Sequence, residues 1–203
     1  MLGRTLRLNA NVFAQKFTDF QTTVVTAIPG SPTLQAVIGN AGGLRSTGAE
    51  LGATWRAMPA LTLNAGLNYT NGKYTDYVYD ARTDYTGSRL TNSPRWAGTF
   101  GVDYQAMVGA NTQMRAHLDM AVRSKLWTIV GQPDYSRVPG YALVNARVTL
   151  SPGDGAFEYG LYARNLFNRY FSTGYQQYGP LGLLHYTTPN AYRTLGAFAK
   201  YHF

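Results

Sequence analysis

The sequence contains no cysteine, so it can form neither a disulfide bond nor a metal site built on thiolates. Charged residues are also scarce, at 14% of 203 residues, and the basic ones are scattered singly. A nucleic-acid-binding arm would concentrate them in runs, so the net charge of +8 does not indicate binding to DNA or RNA. No stretch of about 18 apolar residues occurs, which excludes a membrane-spanning helix.

Long segments with apolar residues at helical spacing are missing too. In their place the chain is rich in glycine (22), tyrosine (16) and phenylalanine (9). Aromatic residues favour the pleated surface of strands, and glycine favours the turns and bulges between them. The composition therefore predicts an all-β chain.

Apolar and polar residues alternate in eight segments of about ten residues, the length with which a tilted strand crosses a bilayer. The predicted strand cores are 5–14, 48–57, 61–70, 96–105, 114–123, 141–150, 156–165 and 194–203. We expect the first, second, third and seventh strands to continue further. One parity of each core is apolar, aromatic or glycine, with Asn165 as the exception, and the other parity carries the charges.

A period of two shows that the two faces of a sheet differ, but it does not show which face meets water. The apolar face would be the core of a soluble sandwich or the lipid-facing side of an antiparallel transmembrane barrel. The connections favour the barrel because they alternate in length. Short turns at 57–60, 106–111 and 151–155 are interleaved with long polar connections at 21–35, 78–91, 128–138 and 172–189, as in outer-membrane barrels.

Aromatic residues of the apolar face cluster at its two ends. If the short turns mark the lower rim, Tyr69 and Trp96 lie near the upper rim, and a larger set lies near the lower one: Trp55, Tyr104, Phe157, Tyr159, Tyr201 and Phe203. Rings at both ends of an apolar band form the girdles at lipid–water interfaces. Tyr201 and Phe203, on an amphipathic last strand, resemble the signal that barrel-assembly machinery recognises, and we expect that machinery as a partner.

Several phrases, in order, resemble the TonB-dependent outer-membrane receptors. They are "STGAELGATWRAMPALTLNAGLNYTNGKYTDY" (46–77), "SPRWAGTFGVDYQ" (93–105), "VPGYALVNARVTL" (138–150) and "NLFNRYF" (165–171). The last is usually NLF, then Asp, two residues and Tyr; here Asn165, Leu166 and Phe167 match, Asn168 replaces the acid, and the tyrosine is Tyr170. The resemblance implies an antiparallel transmembrane β-barrel segment, about eight strands that form the carboxy-terminal part of a plugged 22-stranded barrel.

The plug domain, the TonB-contacting segment, the signal peptide and the early strands have no counterpart in the sequence, so we expect a truncated gene product or part of a longer protein. Eight strands taken from a wide barrel leave two unpaired edges, which lipid cannot satisfy. Either the strands close on themselves as a narrow barrel, or they need the missing strands.

The resemblance also implies a function. It implies energised uptake of a bulky nutrient, most often a ferric siderophore, across the outer membrane of a Gram-negative bacterium. TonB would act only through the plug, and no cofactor is implied. Two alternatives remain: a self-contained small barrel with a structural or adhesion role, and a barrel enzyme such as a lipid hydrolase, which needs a histidine near a hydroxyl nucleophile.

Two groups of residues are candidates for substrate contact. Arg115, His117, Asp119 and Arg123 share the polar face of one strand, where they line the lumen as ligand contacts or as a solvated wall; two potential ligands do not make a metal site. The second group lies in the long connections: Tyr79, Tyr85, Tyr175, Tyr178, His185 and Tyr186. Tyrosine captures ligands well, and it also packs loops and aromatic belts.

Overall fold

The structure, a computed structural model, describes residues 5–27, 30, 34–40, 42–80, 82–153, 155–177 and 183–202. These residues form sixteen strands, in chain order β1 (Leu6–Thr18), β2 (Gln21–Ala27), β3 (Leu34–Asn40), β4 (Gly43–Met58), β5 (Leu61–Asp76), β6 (Val78–Asp80), β7 (Thr83–Asp84), β8 (Trp96–Val108), β9 (Thr112–Arg123), β10 (Leu126–Trp127), β11 (Arg137–Val138), β12 (Tyr141–Pro152), β13 (Phe157–Arg164), β14 (Gly174–Gln177), β15 (Leu183–Tyr186) and β16 (Thr194–Tyr201). Two 3-10 helices, Asp134–Ser136 and Pro189–Ala191, are three residues long. In the described ranges no helix is long and apolar enough to cross a membrane.

Eight of the strands form one antiparallel sheet in the order β1-β4-β5-β8-β9-β12-β13-β16. Within this sheet, each strand therefore pairs with the sheet strand that precedes it and the sheet strand that follows it along the chain. Each predicted strand core overlaps one of these eight strands. The all-β antiparallel architecture predicted from the sequence is confirmed. β1 and β16 are the edges of the sheet, and no pairing joins them in the described residues, so the sheet is open rather than a closed narrow barrel.

The strands differ from the predicted cores mainly at the end that carries the long connections. β1, β4 and β5 continue beyond their cores, as expected. The expected extension of the seventh strand is wrong, because β13 ends at Arg164. The cause is Asn165, whose backbone adopts a left-handed conformation with φ of 48° and cannot continue a strand.

The two faces of the sheet are separated as the alternation predicts. On the apolar face, Val12 is 81% exposed, Phe100 38% and Leu118 36%. A soluble sandwich would cover these side chains with a second sheet, whereas a lipid-facing surface leaves them uncovered by protein. The described residues therefore exclude the sandwich.

The connections alternate in length, and each long one contains its own two-stranded ribbon. Short turns join β4 to β5, β8 to β9 and β12 to β13, with Gly109 and Gly153 supplying positive φ values of 65° in the second and third turns. The long connections hold the ribbons β2–β3, β6–β7, β10–β11 and β14–β15. Their pairing gives these long segments backbone hydrogen-bond partners within themselves.

Three glycines of the polar face lie directly opposite aromatic residues on the neighbouring strand. The pairs are Gly48 with Phe13, Gly160 with Phe198 and Gly196 with Tyr162. In each pair a Cβ on the glycine would overlap the facing ring. The absence of a side chain on each glycine therefore leaves the space that the facing ring occupies.

A small hydrophobic cluster lies at the end of the sheet with the long connections. Leu44, Tyr74 and Tyr77 are buried there, and Phe20, Tyr79, Tyr85, Leu90 and Val130 pack against them. Because this cluster joins β4, β5 and the connection that follows β5, it anchors that connection to the rim.

Candidate functional site

The middle of the polar face carries a hydrogen-bonded row centred on His117. Its Nδ1 lies 2.7 Å from Asp103 Oδ1, and its Nε2 lies 3.6 Å from Asp119 Oδ1. The two carboxylates are themselves bound: Asn64 Nδ2 donates to Asp103 Oδ2 at 3.2 Å, and Asn145 Nδ2 donates to Asp119 Oδ2 at 2.7 Å. The row crosses β5, β8, β9 and β12, so side chains far apart in sequence form one network.

Arg115 belongs to a second group near the short turns. Its guanidinium pairs with the carboxylate of Glu158, and Nη2 also lies 3.4 Å from Ser151 Oγ. Glu158 is shielded, with 13% of its side chain exposed, and its other oxygen lies 3.8 Å from His202 Nε2. Arg115 therefore acts first as the counter-charge of a shielded carboxylate.

Arg123 is separated from the other three candidates of its strand. Its guanidinium carbon lies 4.5 Å from the centre of the Tyr141 ring, and that ring packs on Phe171 with centroids 4.2 Å apart. Its Nε is buried without a hydrogen-bond partner in the described residues. The structure thus brings His117 and Asp119 together and places Arg123 with aromatic rings nearer the long connections.

A basic groove that was not singled out from the sequence lies beside the row. It has a volume of about 550 Å³, and its lining includes His117, Arg147, Arg164, Phe198 and Lys200. Arg147 lies 4.3 Å and Lys200 5.6 Å from the Phe198 ring centre. The sequence does show Arg147, Arg164 and Lys200 on the charged parity of β12, β13 and β16. Only the register between these strands shows that the three side chains lie close together.

Asn165, the lone polar residue of the apolar series, ties the polar face to the last long connection. It is 2% exposed, and its backbone N–H and side chain together make four hydrogen bonds. Its backbone N–H donates to Asn145 Oδ1 at 2.9 Å, its Nδ2 donates to the carbonyls of Arg169 at 3.0 Å and Asn190 at 3.1 Å, and its Oδ1 accepts from the Arg169 N–H at 2.7 Å. Asn145 therefore links the row centred on His117 to this connection.

The tyrosines of the connection after β5 pack with each other. Tyr77 lies 5.5 Å from Tyr85, and Tyr85 lies 5.7 Å from Tyr79, between ring centroids. Both candidate residues, Tyr79 and Tyr85, are half-buried against the hydrophobic cluster. Their observed role is packing, with part of each ring still exposed.

The candidates in the last long connection lie on the β14–β15 ribbon. Tyr175 and His185 are paired across it, with ring centroids 4.6 Å apart, and His185 and Tyr186 are exposed. Thr128 Oγ1 donates to the Tyr175 carbonyl at 3.0 Å and so fixes the ribbon to the neighbouring connection. Tyr178 lies outside the described residues.

The last strand presents Tyr201 on the apolar face. It is exposed, and its ring lies 4.8 Å from that of Phe157 on β13, at the end of the sheet with the short turns. Phe203, the other residue of the expected assembly signal, lies outside the described residues.

The described contacts of the histidines are to carboxylates and to an aromatic ring. His117 and His202 face Asp103, Asp119 and Glu158, and His185 faces Tyr175. In the part of the chain that the structure describes, no group of three or more His, Asp or Glu side chains is placed to hold a metal ion.

Comparison with known proteins agrees with this architecture. Residues 1–168 match the family model described as TonB dependent receptor-like, beta-barrel. No curated protein matches the chain.

Solved structures resemble the chain over nearly all of its length. It is 19% identical to the ferric yersiniabactin uptake receptor FyuA from Yersinia pestis, with a TM-score of 0.79 over 98% of this chain and 28% of that one. It is 20% identical to the siderophore receptor PiuA from Acinetobacter baumannii, with a TM-score of 0.70 over 98% of this chain and 26% of that one. For BauA, the ferric preacinetobactin receptor of the same organism, the identity is 16% and the TM-score 0.65, over 96% and 27%. The chain thus spans little more than a quarter of these proteins.

Proposed function

The chain belongs to the TonB-dependent receptor-like β-barrel family, and we propose that it forms the carboxy-terminal barrel strands and loops of a receptor that takes up a ferric siderophore across a Gram-negative outer membrane. The observation that carries the proposal is the alignment of the whole open sheet with siderophore receptors, in which this chain corresponds to about a quarter of the protein.

The two faces of the sheet support the membrane location. The exposed apolar face suits contact with lipid hydrocarbon, and the polar face suits a water-filled lumen where charges are tolerated. In the ranges that the structure describes, the outer edges of β1 and β16 have no strand partner, and hydrocarbon cannot satisfy the backbone groups along them. Pairing of both edges with further strands would satisfy these groups, which favours a large barrel of the 22-stranded type over a self-contained small one.

The basic groove supports an anionic cargo. Arg147, Arg164 and Lys200 line it together with a single carboxylate, that of Asp119. Ferric chelates that retain negative charge would be attracted to this part of the polar face. TonB would act on a plug domain outside these 203 residues, because the described residues supply the barrel strands and the ribbons.

The exposed rings of His185 and Tyr186, adjacent residues of β15 in the β14–β15 ribbon, would make the first contact with the ligand. Exposed aromatic residues bind with a low entropic cost because few rotatable bonds must be fixed. Tyr201 at the opposite rim would contact the barrel-assembly machinery during insertion.

Uptake measurements test the proposal. In a strain that lacks this gene, transport of at least one ⁵⁵Fe-loaded siderophore from a chemically diverse panel should be lost, and in the complemented strain it should require TonB. Replacing both His185 and Tyr186 by alanine should weaken ligand binding about tenfold, as loss of aromatic contacts does. The matched control, Tyr135→Ala, removes an exposed tyrosine of a different connection. Normal uptake of every ferric siderophore without the gene would refute the proposal.

A further inference from the structure

Four basic residues form a row across neighbouring strands on the lipid-facing side of the sheet. Lys16 is opposite Arg45, Arg45 is opposite Lys73, and Lys73 is bridged to Arg89. We call these four residues the cationic row. Strands are spaced about 4.8 Å apart, so the row spans about 14 Å at the rim that carries the long connections.

No ion pair in the described residues neutralises the row, although one carboxylate, that of Asp76, lines the groove beside Lys16 and Arg45. Like charges directly opposite one another on a sheet repel and destabilise the pairing. Every ion pair in the described ranges involves polar-face or terminal groups and none of these four residues. Lys16, Arg45 and Lys73 are exposed, so the row can be reached from outside.

Arg89 adds a partly desolvated cation at one end of the row. It is half-buried, and its guanidinium carbon lies 5.6 Å from the centre of the Trp127 ring, which Lys125 also approaches at 5.5 Å. Its Nε has no hydrogen-bond partner in the described residues. Burial, with a smaller contribution from Arg95, lowers the pKa of Arg89. An anion beside this guanidinium would balance a charge that no ion pair in the described residues balances.

The same strands carry an apolar surface beneath the row. Moving along each strand toward the short turns, the lipid-facing positions become apolar at Val12, Leu51 and Leu67, all of which are exposed. A ligand that contacts both the cationic row and this apolar surface must have an anionic group next to the row and hydrocarbon next to the apolar side chains. A soluble anion would contact only the cationic row and would leave the apolar surface uncovered.

We propose that the cationic row binds the phosphate headgroup of an anionic lipid in the leaflet next to the long connections. Arg45 and Arg89 can each donate two parallel hydrogen bonds to phosphate oxygens, while Lys16 and Lys73 contribute compact charges. The bound phosphate offsets the repulsion within the row, and the acyl chains cover the apolar strands below it. The proposal rests on the membrane location proposed above but not on the identity of the cargo.

Lipid binding to the intact gene product, purified in neutral detergent, tests the site. The probes are phosphatidic acid, phosphatidylcholine with the same chains, and inorganic phosphate, each titrated while the thermal midpoint is followed. Phosphatidic acid should raise the midpoint and the other two should not. The triple variant Lys16→Gln/Arg45→Gln/Lys73→Gln should bind phosphatidic acid roughly a hundredfold more weakly, at about fivefold per charge.

The matched control removes three exposed cations elsewhere, Arg7→Gln/Arg56→Gln/Arg137→Gln. It should retain the response to phosphatidic acid. Equal weakening in both triple variants would assign the effect to net charge, and equal stabilisation by inorganic phosphate would assign it to a free-anion site; either result overturns the proposal. Should the triple variant fail to fold, Arg45→Gln alone, with a cation on each side, should still weaken binding about fivefold. Loss of the lipid response with unchanged siderophore uptake would separate this site from the proposed function.

Discussion

Replacing Asn165 tests whether one buried side chain holds the last long connection on the sheet. Asn165→Ala removes three side-chain hydrogen bonds, which join it to Arg169 twice and to Asn190 once. At about 1 kcal/mol each, their loss costs about 3 kcal/mol. Alanine at a φ of 48° adds about 1 kcal/mol, because only glycine and asparagine adopt the left-handed region readily. We expect a total near 4 kcal/mol.

Two further variants separate the contributions. Asn165→Gly keeps the backbone conformation and loses the hydrogen bonds, so it should cost about 3 kcal/mol. Asn168→Ala is the matched control, because Asn168 also has a positive φ, of 52°, but its side chain is exposed and accepts one hydrogen bond, from the Arg193 N–H. It should cost about 2 kcal/mol at most.

The assay has a global and a local part. Urea unfolding of the intact gene product in lipid vesicles gives the change in free energy. Hydrogen exchange at the Arg169 amide reports the lost bond directly, since that N–H donates to the Asn165 side chain. It should exchange faster in Asn165→Gly and remain protected in Asn168→Ala. A cost below about 1 kcal/mol for Asn165→Ala, or an unchanged exchange rate at Arg169, would refute the reasoning.

Two other predictions concern packing and pH. Gly160→Val should destabilise the protein by about 1–3 kcal/mol in the same urea assay, because the new side chain displaces the Phe198 ring. The control Gly52→Ala, whose nearest neighbouring atom would lie 3.8 Å away, should be nearly neutral, and equal effects of the two would argue against the packing explanation. Hydrogen bonds from the Thr86 side chain and backbone lower the pKa of Asp84, so the stability they give is present above the unfolded-state pKa of Asp84 and is lost as pH falls through the folded-state value. Thr86→Ala should therefore raise the pKa of Asp84 in an NMR titration of its carboxyl, and an unchanged pKa would exclude the side-chain contribution.

Much of the fold was predictable because the relevant signal is local. The alternation of apolar and polar residues identifies strands and faces from neighbours two positions apart, and the lengths of the connections identify the two rims. Together these two features predicted the antiparallel all-β architecture and an apolar face that is not covered by protein. The structure agrees, since Val12 and Phe100 on that face are exposed.

The site was less predictable because its chemistry depends on register between strands. His117 and Asp119 are two residues apart, and their grouping was visible in sequence. Asp103 reaches His117 only through the pairing of β8 with β9, and Lys16 reaches Arg45 only through the pairing of β1 with β4. The four ribbons in the long connections were also missed, since six of their eight strands have only two to four residues, too few to show a period of two.

The nearest-neighbour order of the eight-stranded sheet has a consequence for how such proteins change in evolution. Each strand of the sheet pairs only with the sheet strands before and after it along the chain. A hairpin of two consecutive sheet strands can therefore be removed without disturbing the pairing of the others. Duplicating or deleting one hairpin preserves the remaining ladders and returns the chain to the same side of the bilayer. The circumference of the barrel can therefore change in steps of two strands without a change in topology.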